Sequence, residues 1–174
     1  MAVYTATRAG SNRPSSASGW AVDSKRAWGT IEFTATPLLG DTIYMVKLPK
    51  GAMITGGFLQ GDKIDSVTAG SALMSINIGL DKAFTTADGT SFTSASGSNA
   101  LASAWSIGPD AATSATYKPD NNVRNVPLGG VLLTNGPILT SDETNVYITV
   151  NASAVAFTSG TITLLVDYYM AQHA

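Results

Sequence analysis

The chain of 174 residues is long enough for one domain that buries about two-thirds of its unfolded surface. Apolar residues make up 44% of it and charged residues only 13%, so the surface must be covered largely by Ser, Thr, Asn and Gly, which suits a protein held in an assembly. The formal net charge of −2 and the pI near 5.1 argue against nucleic-acid binding by the chain as a whole.

The first 28 residues differ from the rest in charge and composition. They have a net charge of +3, which leaves −5 on the remainder. They are rich in Ala, Ser and Gly without a sustained apolar period, which predicts an extended basic N-terminal arm, residues 1–28, attached to a domain of residues 29–174. A basic end on an acidic body indicates that the two bind different partners.

Two of the three tryptophans, Trp20 and Trp28, flank the cations Lys25 and Arg26. Large amphipathic rings beside cations are costly to leave in water and suit a contact surface. The alternative is that both rings cap the hydrophobic core, with the cations stacked on them or solvated, and the two interpretations are compatible. The predicted contact residues of the arm are Arg8, Arg13, Trp20, Lys25, Arg26 and Trp28.

A half-buried strand and a hairpin follow the arm. Apolar and polar residues alternate over residues 29–36, and Pro37 ends this strand. Alternation resumes over residues 40–62 on both sides of a turn. In that turn Pro49 presets φ and Gly51 accepts a positive φ, which is a hairpin signal.

The second strand of this hairpin carries two further signals. Ile54 and Phe58 are predicted to share one face of the strand. The pair Gly56 and Gly57 predicts a bulge, or a close approach of another backbone, inside the strand.

Regular alternation over residues 74–80 predicts a further strand, and residues 82–122 then form a long insertion of Ser, Thr, Ala, Gly and Asn. Insertions of this kind collect at one end of a sandwich, where function is often found. Trp105 and Tyr117 are its candidate platform for a glycan. Residues 126–134, with Pro127, predict an irregular strand or an edge strand.

The last part of the chain contains a stretch of 23 residues without a charge, residues 144–166, which is long enough to span a bilayer. Ten of these residues are Thr, Ser, Asn or Gly, and the apolar ones alternate. Two strands around a turn at Ser159 and Gly160 are therefore predicted, and no membrane partner.

About eight short β segments, rich in Thr, Val, Ile and Tyr and separated by turns, predict an all-β protein, an antiparallel β-sandwich or barrel. The hairpin, with Gly-Asp-x-Ile, Leu-Pro-Lys-Gly-Ala and Gly-Gly-Phe-Leu, resembles the opening hairpin of head decoration (cement) proteins of tailed bacteriophages. The resemblance extends to residues 75–81 and 160–169, and covers roughly residues 30–170.

This resemblance implies a jelly-roll sandwich that binds the outside of a phage head and stabilises it. It implies the major capsid protein and the chain itself, as a homotrimer, as partners. It places the protein on the capsid surface of the virion after synthesis in the host cytoplasm. A carbohydrate-binding or host-adhesion module on the virion is the alternative, since sandwiches of this size also carry lectin-like sites.

The residue inventory argues against enzymatic activity. There is no cysteine, and the one histidine, His173, is next to the C-terminal residue, so neither a triad nor a zinc site is expected. No glycine-rich phosphate loop is present. Loop aspartates such as Asp62 and Asp65, or Asp81 and Asp88, are interpreted as turn formers rather than calcium ligands. No cofactor and no metal are predicted.

Overall fold

The computed structural model of the protein describes six stretches of the chain: residues 3–5, 24–62, 64–65, 74–93, 99–106 and 126–170. In chain order their strands are β1 (Val3–Thr5), β2 (Lys25–Phe33), β3 (Thr42–Leu48), β4 (Ala52–Gly61), β5 (Ser75–Leu80), β6 (Phe84–Thr86), β7 (Ser91–Phe92), β8 (Ala102–Ser106), β9 (Val126–Pro127), β10 (Ile138–Thr140), β11 (Thr144–Ala152) and β12 (Gly160–Met170). A helix, α1 (Val131–Asn135), precedes β10. Within these stretches, no helix is long and apolar enough to cross a membrane.

The strands form two sheets that enclose one hydrophobic core. The smaller sheet has the order β1-β3-β11-β5-β8, and the larger has the order β2-β12-β4-β10-β6-β7, with β9 against β4. Neighbouring strands are antiparallel except for β1, which adds to β3 in parallel. The predicted all-β sandwich is confirmed, and it is jelly-roll-like. Strand β1, Val3–Thr5, comes from the start of the predicted arm and belongs to the smaller sheet.

Alternating burial shows why these sequences form strands of a sandwich. Along β12 the four residues that face the core are almost fully buried: Ile162, Leu164, Val166 and Tyr168. The residues between them, among them Thr163, Leu165 and Asp167, lie on the outer face and keep some exposure. This period of two confirms the strand that the sequence predicts here.

Strand β4 contains the bulge that its glycine pair predicts. Tyr168 pairs with Ile54 but Asp167 pairs with Gly56, so Thr55 is an extra residue in β4. The extra residue reverses the alternation, because Ile54 is buried and Phe58 lies on the outer face. The prediction that these two residues share a face is therefore wrong, although the bulge that separates them was predicted.

The sandwich is closed on one side by a close contact between β2 and β3. A Cβ atom on Gly29 would overlap the carbonyl group of Met45, so only glycine lets the two backbones approach this closely. Strand β2 begins at Lys25 and pairs with β12 along its whole length. The predicted boundary between arm and domain, after Trp28, thus falls inside β2.

Two later segments differ from the prediction. Strands β6, β7 and β8 all lie inside the residues predicted as a long insertion, 82–122. The edge strand predicted for residues 126–134 is wrong beyond Pro127, because Gly130 takes a positive φ of 63° and α1 follows. The N–H of Val131 bonds the carbonyl of Ala100, and Leu132 is buried, so contacts with a distant segment define this helix.

Candidate interaction surface on the larger sheet

Strand β2 carries three residues of the predicted contact arm, Lys25, Arg26 and Trp28, at the edge of the larger sheet. Arg26 and Trp28 are exposed, whereas Ala27 and Gly29, which alternate with them, are buried. The Trp28 side chain is 40% exposed, so its ring lies on the outer face of the sheet and is not a cap on the core.

A row of apolar side chains crosses this outer face. Trp28 on β2 pairs with Leu165 on β12, Leu165 pairs with Phe58 on β4, and Phe58 pairs with Pro127 on β9. Residues paired directly across strands share a face, with Cβ atoms about 5 Å apart. Trp28 and Pro127 are exposed, and Leu165 and Phe58 are half-buried. We call these four residues the apolar row.

An ion pair flanks the apolar row on one side. Arg26 Nε donates a hydrogen bond to Asp167 Oδ1 at 2.6 Å, and its Nη2 donates to Oδ2 at 3.0 Å. These hydrogen bonds, with the charge of Asp167, raise the pKa of Arg26. The planar two-point geometry fixes both side chains in place, so a cation that the sequence assigned to a basic arm is neutralised within its own sheet.

Polar groups flank the apolar row on the other side. The hydroxyls of Thr30 and Thr163 lie 2.9 Å apart in a hydrogen bond. Beyond them is a shallow depression of about 150 Å³, lined by Gln60, Gly61, Asp62, Thr161 and Thr163. The face therefore changes from an ion pair, through an apolar row, to a polar depression.

Several of the predicted site residues cannot be placed on this face. Arg8, Arg13, Trp20 and Tyr117 lie outside the described residues. Trp105 is in β8, where its backbone pairs with Ile76. The structure thus brings Arg26 and Trp28 together with residues that sequence reasoning did not assign to a site. The available signal was an apolar residue, Leu165, between Thr163 and Asp167 on the polar face of its strand.

Two of the loop aspartates, Asp65 and Asp81, stabilise the fold by accepting hydrogen bonds. The Asp65 carboxylate, which is fully buried, accepts hydrogen bonds from three backbone N–H groups, those of Met74, Val155 and Ala156. Asp81 accepts from the backbone and the side-chain amide of Asn145. Across the described part of the chain, no three His, Cys, Asp or Glu residues are grouped so as to hold a metal ion.

The two strand carboxylates Glu32 and Asp167 are far apart on the larger sheet. Glu32 pairs with Thr161, which is six residues from Asp167 along β12, a separation of roughly 20 Å. Paired carboxylates in glycoside hydrolases lie about 5 to 9.5 Å apart. These two side chains therefore cannot act together on one glycosidic bond.

Comparison with known proteins shows similarity at the level of fold. Neither a protein-family model nor a curated protein matches the chain. A chain of the "Cyanophage Pam1 capsid asymmetric unit" superposes with a TM-score of 0.60 at 21% identity, over 94% of this chain and 96% of that one. A chain of the "Capsid of Ralstonia phage GP4" superposes with a TM-score of 0.68 at 20% identity, over 99% of this chain and 100% of the other. The protein therefore has the fold of chains found in two phage capsids.

Proposed function

We propose that this protein is a structural component of a phage virion, a decoration protein that binds the outside of the head as a homotrimer and stabilises it. The observation that carries the proposal is the fold shared with chains of two phage capsids over nearly the full length of each chain. Because the coverage is high in both directions, the likeness extends over the whole fold and is not confined to one part of it.

The apolar row is the part of the described surface best suited to contact the major capsid protein. Buried aromatic anchors dominate the energetics of interfaces, and Trp28 provides one beside Leu165 and Phe58. The charges of Arg26 and Asp167 are already paired, so burying this face requires no new counter-ion. Rim ion pairs and polar groups around an apolar centre are the usual anatomy of an interface.

Such a contact stabilises the shell through binding alone and needs no catalysed reaction. A decoration protein that contacts neighbouring capsid subunits adds interface that must be broken before the subunits separate. A standard interface buries about 800 Å² per partner. The arm residues Arg8, Arg13 and Trp20 are proposed to extend this contact.

The test is binding of purified protein to heads that lack it. Trp28→Ala removes the anchor of the apolar row and is expected to weaken sedimentation with the heads by about 30-fold or more, the equivalent of 2 kcal/mol. Val155→Ala is the matched control, because this exposed apolar side chain lies in the loop before β12. Equal binding by both variants would reject the apolar row as the contact, and no binding by the unaltered protein would reject the decoration role.

Carbohydrate binding remains the second proposal, and the polar depression on the same face favours it. Gln60, Asp62 and two threonines supply hydrogen-bonding groups there, and the exposed indole of Trp28, on the other side of the Thr30–Thr163 pair, offers a stacking surface. Gln60→Ala is expected to abolish glycan-array binding and to leave head binding unchanged. No glycan binding by the unaltered protein would remove this proposal, and with it Trp105 and Tyr117 as a platform.

A further inference from the structure

The end of α1 carries the one Asn-Gly pair in the sequence, Asn135 and Gly136. The amide carbon of an asparagine side chain can be attacked by the backbone nitrogen of the next residue, and a side chain on that residue hinders the attack. Each of the other asparagines precedes a residue with a side chain. Because glycine has no Cβ atom, Asn135 is the asparagine at which this reaction is obstructed least.

Both polar atoms of the Asn135 side chain have hydrogen-bond partners. Nδ2 donates to Asp88 Oδ2 at 2.8 Å, and Oδ1 accepts from Thr134 Oγ1 at 2.8 Å. An ionised carboxylate only accepts hydrogen bonds, so the contact with Asp88 fixes which atom of the amide faces which partner. The hydroxyl of Thr134 is placed to stabilise the negative charge that develops on Oδ1 when Cγ is attacked.

The two contacts respond differently to local opening of the fold. Asp88 belongs to the β6–β7 turn and is 47 residues away in the chain, so its bond is lost when α1 separates from that turn. Thr134 is adjacent to Asn135 in the chain, so its hydroxyl stays within reach of Oδ1. A helix of five residues opens readily. Opening therefore frees the amide for attack and keeps the group that activates it.

We propose that Asn135 is a site of spontaneous deamidation, and that the contact with Asp88 controls its rate. After opening, the Gly136 nitrogen loses its proton to solvent and bonds to Asn135 Cγ. The Cγ–Nδ2 bond breaks, and the amide group takes up a proton from water and leaves as ammonia. A water molecule then opens the cyclic imide at either carbonyl carbon, which leaves aspartate or isoaspartate. Overall, water is consumed, ammonia is released and nothing is oxidised or reduced.

The product places a carboxylate where the amide had bonded Asp88. Two carboxylates this close repel each other, and hydrogen bonds lower the pKa of Asp88, which keeps it ionised. The bond from the Ala87 N–H to the Pro137 carbonyl, at 2.9 Å, then has to hold the turn beside the end of α1 without the contact to Asn135. Deamidation thus makes the opening of α1 irreversible. Under the proposed decoration role the chain is not replaced after assembly, so the change accumulates with the age of the particle.

The chain offers an internal control for the rate. Asn145 Nδ2 donates to Asp81 Oδ2 at 2.7 Å, which is the same type of contact, but the next residue is the buried, β-branched Val146 of β11. The full chain is incubated at neutral pH, and peptide mass spectrometry follows the conversion of amide to acid at each asparagine over time. We expect Asn135 to be converted several-fold faster than Asn145.

Two variants test the assigned roles, with circular dichroism to show that each is folded. Asp88→Ala removes the restraining carboxylate and should speed conversion at Asn135 several-fold without changing the rate at Asn145. Thr134→Val keeps the shape of the side chain without its hydroxyl and should slow conversion at Asn135. A rate at Asn135 no faster than that at Asn145, or one that neither variant changes, would overturn the proposal.

Hydrogen exchange at neutral pH measures the effect on the helix. Asn135→Asp reproduces one product, and Asn135→Ala loses the hydrogen bond to Asp88 without adding a charge. Amide protons of α1 and of the β6–β7 turn should exchange several-fold faster in Asn135→Asp than in Asn135→Ala. Equal exchange in these two variants would contradict the repulsion from Asp88 and, with it, the irreversible opening.

Discussion

Replacement of Gly57 by alanine is the sharpest test of the fold. Gly57 has a φ of 149°, and a Cβ atom there would overlap the Leu165 carbonyl oxygen and lie 2.8 Å from Leu128 Cδ1. A backbone conformation restricted to glycine costs another residue about 1–3 kcal/mol, and forcing a methyl group into a filled space costs about 1–3 kcal/mol more. We expect Gly57→Ala to lower the free energy of unfolding by about 4 kcal/mol, out of a total of about 5–15 kcal/mol.

The matched control is the preceding residue. A Cβ atom on Gly56 would meet nothing within 4 Å, and its φ is not in the positive region. Gly56→Ala is therefore expected to be neutral or to stabilise by about 0.4–1 kcal/mol, through the unfolded chain. Thermal unfolding followed by circular dichroism should show a Tm lower by about 8–16 °C for Gly57→Ala alone. Equal Tm values for the two variants would refute the close backbone approach at Gly57.

Two electrostatic predictions follow. Asp167→Asn breaks the ion pair with Arg26, in which the side chain of Asp167 is 21% exposed and that of Arg26 is 52% exposed. Because exposed ion pairs contribute little, the free energy of unfolding should fall by less than about 1 kcal/mol, and by less still in high salt. Urea titration at two salt concentrations measures this loss, and a larger loss, or one that salt does not change, would contradict the prediction. Hydrogen bonds from Thr86, Asn135 and Thr90 lower the pKa of Asp88 well below its ordinary 3.8. Because the pKa of Asp88 is lower in the folded state, its ionised carboxylate stabilises the folded protein above pH 3.8, and this stabilisation is lost as the pH falls through the folded value. Hydrogen exchange in α1 should therefore quicken in strong acid for the unaltered protein. In Asp88→Asn it should depend less on pH.

Local pattern was enough to predict the sandwich because its strands are amphipathic. In β12 the inward residues alternate strictly with outward ones, so the period of two in the sequence is also the period of burial. The same reasoning failed for Phe58, because one extra residue at the bulge reverses the faces beyond it. A bulge can be predicted from Gly56 and Gly57, but which side chains it turns outward depends on pairing with β12.

Helix α1 was missed for a different reason. Its five residues, Val131–Asn135, include two β-branched residues and follow two glycines, a composition that does not favour a helix. The helix is held by contacts with Ala100 and Asp88, which are distant in sequence. Tertiary contacts outweigh local propensity here, and no pattern within residues 126–134 reports them.

The candidate site could be predicted only in part. The sequence predicts Trp28 and Arg26 as contact residues. The apolar row, however, is formed by four strands, and its alignment depends on the register of the whole sheet. Leu165 and Phe58 come into line with Trp28 because β12 lies between β2 and β4, an order that the sequence does not reveal. The ion pair with Asp167 also depends on this register, and it changes Arg26 from a cation of an arm into part of a neutral face.

The low sequence identity to the two capsid chains affects how head binding should be tested. The fold is shared although only 20% and 21% of the residues are identical over almost the whole chains. Alternating apolar residues, with glycine where two backbones come close, are enough to maintain such a fold. The apolar row is not required by that fold, so its shape is free to match one particular partner. Specificity is a difference between affinities for competing surfaces. Under the proposed decoration role, heads of the source phage should therefore bind this chain in preference to heads of unrelated phages, and Trp28→Ala should reduce that preference as well as the affinity.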